Sequence, residues 1–125
     1  MPTPAPVLVV DDSSLVRRRV SAALTRQGYC VIEAVDGVDA LGKLGEHTDT
    51  RLIICDVNMP NMNGLELLEQ LQERGSQVPV VMLTTEGEPE LIRRAKSLGA
   101  KGWLIKPFKT EMLAATVEKL ASVTA

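Results

Sequence analysis

Short runs of β-branched and other apolar residues alternate along the chain with segments whose apolar residues recur every three or four positions. The alternation occurs five times, a (βα)5 pattern. The runs predict strands at Pro6 to Val10, Cys30 to Ala34, Leu52 to Cys55, Val78 to Leu83 and Gly102 to Ile105. The first, third and fourth are apolar almost throughout, as expected of strands covered on both faces of a parallel sheet. In the first helical segment Val16, Val20, Ala23 and Leu24 form one stripe, and in the last Met112, Leu113, Val117 and Leu120 repeat it. Arg17, Arg18 and Arg19 fall largely off the first stripe and read as a solvated face.

Boundary signals agree with this division. Ser13 or Ser14, Asp36 and Asn63 stand where the first three helices would need an N-cap, and Pro89 suits the first turn of the fourth. Gly28, Gly75 and Gly99 supply stops. Five units joined by right-handed crossovers predict an α/β doubly wound fold. The expected architecture is a flavodoxin-like three-layer sandwich around a parallel five-stranded sheet in the order 2-1-3-4-5. No linker or low-complexity tract interrupts the pattern, so residues 1–125 read as one domain.

Composition narrows the function classes. At 125 residues and 45% hydrophobic content the chain can bury one ordinary core. Fourteen basic against sixteen acidic residues give a net charge of -2, which argues against a nucleic-acid partner. No apolar run approaches the roughly 20 residues that cross a bilayer, and Met1 to Pro6 lacks the features of a signal peptide. A cytoplasmic monomer with no membrane association is expected. Cys30 and Cys55 lie in apolar runs and read as small buried hydrophobes. Their predicted strands are separated by the first, hence roughly 9 to 10 Å apart at least, so no disulfide is expected. His47 has no second His or Cys near it and reads as a surface residue at a helix end.

Doubly wound sheets place their functional sites at the carboxyl ends of the strands. There the first strand ends in Asp11 and Asp12, the third in Asp56, the fourth in Thr84 and Thr85, and the fifth in Lys106-Pro107. One Asp after a strand is an ordinary turn residue. Three carboxylates on one edge raise one another's pKa unless a cation or proton intervenes, and such oxygens suit Mg²⁺. With a Thr hydroxyl and a Lys ammonium beside them, the set suits a tetrahedral anion.

The order Asp11-Asp12, Asp56, Thr84, Lys106-Pro107 resembles the receiver domain of two-component response regulators. The stretches from Asp56 to Gly64 and from Gly102 to Phe108 are similar to the stand-alone chemotaxis regulators of that family. The resemblance covers the whole chain. It implies that Asp56 accepts a phosphoryl group, with Lys106 and Thr84 assisting. Asp12, Asp56 and the main-chain carbonyl of Asn58 would ligate Mg²⁺, with Asp11 acting through water. Lys106-Pro107 would be a cis peptide. Asn58 and Glu86 would tune hydrolysis, Thr85 and Pro107 would stand with the switch and tuning residues, and Trp103 would be the aromatic switch, where the family usually has Tyr or Phe. The implied donor is a histidine kinase or phosphotransfer protein, and the implied output surface is the fourth helix, fifth strand and fifth helix. Similarity around Asp56 favours a flagellar motor protein as output partner.

Other readings use the same residues. Ordinary turn acids and ion pairs would leave the match of every polar strand end to one chemistry unexplained. A phosphatase or phosphotransferase would want a second Asp two residues after Asp56, where this chain has Asn58, and a cap over its substrate. A scaffold that no longer switches would not need all five key residues. The sequence also lacks a nucleotide-binding glycine loop, so the expected role is a phosphoacceptor signalling domain and not an enzyme.

Overall fold

The computed structural model describes residues 5–85 and 89–123. Its elements alternate strictly: β1 Val7–Val10, α1 Ser14–Arg26, β2 Val31–Ala34, α2 Gly37–Glu46, β3 Leu52–Asp56, α3 Gly64–Glu73, β4 Val80–Thr84, α4 Pro89–Ser97, β5 Gly102–Ile105 and α5 Thr110–Val123. All strand pairs are parallel and the sheet order is β2-β1-β3-β4-β5, as the sequence predicts. Among the described residues no helix is long and apolar enough to cross a membrane.

The side-chain period of two divides the strands between two cores. Leu8, Val10, Ile53, Cys55, Val80 and Met82 face α2, α3 and α4. Val7, Val9, Leu52, Ile54, Val81 and Leu83 face α1 and α5. Every residue of β1, β3 and β4 is therefore buried, which is why those strands read as unbroken apolar runs. The edge strands β2 and β5 keep partly open positions.

Local chemistry sets the ends of the helices. Ser13 Oγ accepts from Val16 N at 3.3 Å, Asp36 Oδ1 accepts from Asp39 N at 2.8 Å, and Asn63 and Glu66 form a reciprocal capping box. Helix α1 closes at Gly28, whose φ of 94° is one that a side chain would resist, while Tyr29 N reaches back to Leu24 O. The same close recurs at Gly75 and Gly99.

Several expectations are corrected. Strand β2 begins at Val31, and Cys30 before it is exposed, because the end of an edge strand has a neighbour on one side only. Cys55 is buried, as expected. The register sets Val31 against Val7 and Cys55 against Val10, so the two thiols stand at opposite ends of the sheet. Strand β4 starts at Val80, after Pro79, and β3 runs one residue further, to Asp56. The buried stripe of α5 is Leu113, Val117 and Ala121, whereas Met112 is 56% exposed. His47 caps the end of α2, half-buried.

One close approach fixes where α3 leaves the sheet. A Cβ on Gly64 would lie 2.5 Å from Asp56 O and 3.0 Å from Val57 Cα, both backbone atoms. Gly64→Ala should therefore cost about 1–3 kcal/mol, read as a lower urea midpoint at unchanged slope. A wild-type midpoint would mean that the chain can part there without cost.

Candidate functional site

The carboxyl edge of the sheet gathers groups from four strand ends. Asp11 follows β1 with its side chain fully buried; one oxygen accepts from Ser13 N at 2.9 Å, the other from Lys106 Nζ at 2.9 Å. Asp56 ends β3, is 6% exposed, and has Oδ1 3.2 Å from the same ammonium. Lys106 begins beyond β5, two strands from β3, or about 10 Å, a span that its long stem crosses. Its peptide bond to the exposed Pro107 is cis. Asp12 is exposed, yet one oxygen from each of Asp11, Asp12 and Asp56 lies within 4.8 Å of the others.

Polar residues of the neighbouring segments surround this cluster. Thr84 ends β4, between the strands of Asp56 and Lys106; it is fully buried and its carbonyl accepts from Lys106 N at 2.6 Å. Thr85 is exposed and lines, with Val16, Arg19 and Phe108, a hollow of about 270 Å³ beside Lys106. Asn58 is exposed on the loop between β3 and α3. Glu86 lies outside the described residues. Trp103 sits on β5 opposite Met82, half-buried against the core under α4, with its indole N–H shielded from solvent and without an acceptor among the described residues.

Charge dominates the chemistry. Burial pushes the Asp56 carboxyl above its ordinary value, the Asp11 charge pushes it further, and Lys106 opposes both. Burial pushes Lys106 down, but its hydrogen bond to Asp11 and the charges of Asp11 and Asp56 carry it above the usual ammonium value. The Cys55 thiol is raised by burial and by the neighbouring carboxylates, which makes it inert. The three-carboxylate set offers only oxygen, the donor type that a small hard cation such as Mg²⁺ takes, and its three oxygens lie within 4.8 Å of one another.

Sequence reasoning missed Arg17. Its Nη1 donates to Asp11 O at 2.6 Å and its Nε to Glu33 Oε1 at 3.2 Å, so it braces the turn that carries Asp11 and is no simple solvated residue. The available signal was its place on the second turn of a helix capped by Ser13, from which a long side chain can reach back past the cap.

The sequence profile of the response regulator receiver domain family matches residues 7–118. This chain belongs to that family. As a receiver domain it is a signalling domain, and its relatives carry chemotaxis names. It is 41% identical over 115 residues to the chemotaxis protein CheY1 of Helicobacter pylori (strain ATCC 700392 / 26695), covering 90% of this chain and 93% of that one. It is 38% identical over 122 residues to the chemotaxis protein CheY of Treponema pallidum (strain Nichols), covering 96% and 83%. The structure of the chemotaxis response regulator CheY4 of Vibrio cholerae superposes with a TM-score of 0.85 at 43% identity, over 94% of this receiver and 99% of that chain.

The raised Asp56 carboxyl gives this receiver a pH signature. The folded state holds that proton more tightly than the unfolded chain, so stability from this group is present at low pH and lost as pH rises through the raised value. At pH 7 in EDTA, Asp56→Asn should raise Tm by roughly 3–6 °C, on the order of 1 kcal/mol. It should also flatten the decline above the ordinary carboxylate range near 4. A lower Tm than wild type would show that charged Asp56 stabilises the metal-free fold.

Proposed function

We propose that this receiver is switched by phosphorylation of Asp56, and that the carrying observation is a buried carboxylate 3.2 Å from Lys106 inside a cluster of three acids. Asp12, Asp56 and the main-chain carbonyl of Asn58 would hold Mg²⁺, with Asp11 acting through water. When bound, the ion supplies positive charge to the phosphoryl oxygens. An Asp56 oxygen attacks phosphorus in line while the bond from phosphorus to the donor's histidine nitrogen breaks; the donor ring, already protonated on its other nitrogen, leaves as neutral imidazole, and an aspartyl phosphate remains on this chain. Attack of an anion on an anion is slow unless charge is neutralised, and Lys106 contributes here by pairing with the transferred group. The buried Thr84 donates a hydrogen bond to a phosphoryl oxygen. Water later attacks the same phosphorus, and Asn58 and Glu86 flank its path.

In this reading residues 1–125 act as one monomeric cytoplasmic unit, receiving phosphoryl groups from a histidine kinase or phosphotransfer protein. The output surface is α4, β5 and α5, meeting a partner protein that the chemotaxis names of the relatives suggest is a flagellar motor component. An apolar patch supports it: Ile105 is 50% and Met112 56% exposed beside Trp103, with a groove of about 390 Å³ between them.

Two measurements check the proposal. Acetyl phosphate with Mg²⁺ should add one labile phosphoryl group by mass, removed by base or hydroxylamine; Asp56→Asn should add none. Lys106→Ala should slow labelling by roughly 10- to 150-fold, the worth of a charge-assisted hydrogen bond of about 1.5–3 kcal/mol. Labelling of Asp56→Asn at the wild-type level would move the acceptor elsewhere.

The second concerns Trp103, the single tryptophan of the chain. A shielded indole N–H without an acceptor carries a cost of about 1–3 kcal/mol, which a rearranged ring can relieve. Beryllofluoride with Mg²⁺ should therefore change the emission and iodide quenching of wild type and leave Asp56→Asn unaltered. An unchanged spectrum in fully modified protein would remove Trp103 from the switch.

A further inference from the structure

The proposed cation site asks something unusual of the loop 57–63. A side-chain ligand can adjust through its rotamers, but a main-chain carbonyl is only as well placed as the backbone that carries it. Asn58, Pro60 and Asn61 are all exposed, so packing alone does not fix that backbone. Its ends are tied to the sheet, with Val57 N donating to Leu83 O at 3.0 Å and Gly64 N to Val57 O at 2.9 Å. Its middle is tied elsewhere.

That second tie is the N-terminus of α2. Asn61 Nδ2 donates to Asp36 Oδ2 at 2.7 Å, and Gly37 N donates to Met62 O at 3.1 Å. Two successive loop residues are thus held by two successive residues of a helix start. Among the described residues Asn61 is the sole non-glycine residue at positive φ, 65°, a conformation that Asn tolerates better than most. Gly37 permits the approach, since a Cβ there would stand 2.9 Å from Met62 O and closer still to the Met62 side chain.

Asp36 is itself tied down. Its other oxygen caps α2 through Asp39 N at 2.8 Å, Asp39 Oδ2 in turn accepts from Val35 N at 3.0 Å, and the residue is 8% exposed. The Asp39 N–H and then Asn61 hold its carboxyl below the ordinary value against burial, so it meets Asn61 as an anion. Asp36 is not among the three acids that converge on the site.

We propose that Asp36 and Asn61 are positioning residues for cation binding: their hydrogen bond fixes the loop so that the Asn58 carbonyl is presented to Mg²⁺. The inference rests on the ligand set proposed above. Outer partners that orient metal ligands typically change affinity by about 10- to 100-fold when removed.

The test is Mg²⁺ affinity of the full chain by calorimetry, repeated with Mn²⁺ by electron paramagnetic resonance, alongside Tm in EDTA. Asn61→Gly keeps the positive φ and removes the amide, and Asp36→Ser keeps the N-cap and removes the second acceptor. Each should weaken Mg²⁺ binding about tenfold. The exchange Asp36→Asn with Asn61→Asp reverses donor and acceptor and should restore affinity to within about threefold. Wild-type affinity in both single variants, even with lowered Tm, would overturn the latch and leave the ligand set standing. Wild type binding Mg²⁺ no better than Asp56→Asn would overturn the ligand set and the latch with it.

Discussion

Like charges confined at one sheet edge are the constraint from which most of this receiver's design follows. At an effective dielectric of about 20, two carboxylates roughly 5 Å apart repel by about 3 kcal/mol, and burying them adds a desolvation cost. Asp11 and Asp56 are both buried, and the described structure answers them with one ammonium, Lys106, 2.9 and 3.2 Å away. One positive charge for three negative ones leaves the edge short of cations. The fold tolerates this because three buried strands and two apolar cores hold the strand ends where they are, whatever the charges prefer. In the proposed function the shortage is useful, since it is what a divalent ion and a phosphoryl group arrive to change.

The parts of the molecule legible in the sequence are those governed by periodicity. Strands β1, β3 and β4 are wholly buried, so their composition announced them, and the polar residues that follow Val10, Cys55 and Leu83 stood out against it. Features that depend on a third element were not legible. Arg17 reaches back over its own N-cap to Asp11 O, Asn61 reaches from one loop to the start of another helix, and Met112 falls off the α5 stripe by one position. Each is an ordinary residue until the register of neighbouring units is known. Cys30 was misjudged for a related reason: hydrophobic pattern does not tell a strand's covered middle from its open end.

In the proposed function, signal transfer across the sheet would have a short physical route. Thr84 occupies the strand between Asp56 and Lys106, and its carbonyl accepts from Lys106 N at 2.6 Å, so displacement of the threonine bears directly on the chain that follows β5. One register step back along the same strand pair stand Leu83 and Leu104, and beyond them Met82 and Trp103. In the proposed function, a change at the phosphoryl group would therefore reach the exposed patch of Ile105 and Met112 through one pair of neighbouring strands, without a long chain of intermediates. Closely packed interiors move between discrete arrangements and do not deform smoothly, which suits a two-state response.

The ties around the site also differ in kind, and that difference assigns them separate roles. Arg17 and the cap at Ser13 hold Asp11 through backbone and side chain on the α1 side, where little needs to move. The latch from Asp36 to Asn61 holds an exposed loop by one charge-assisted bond and one backbone bond on the α2 side. Both lie on the half of the sheet built from β2, β1 and β3, away from the β4 and β5 half that carries the proposed switch. In the proposed function, a site tied on one side would favour movement on the α4 and β5 side, because the interactions that resist displacement lie toward α1 and α2.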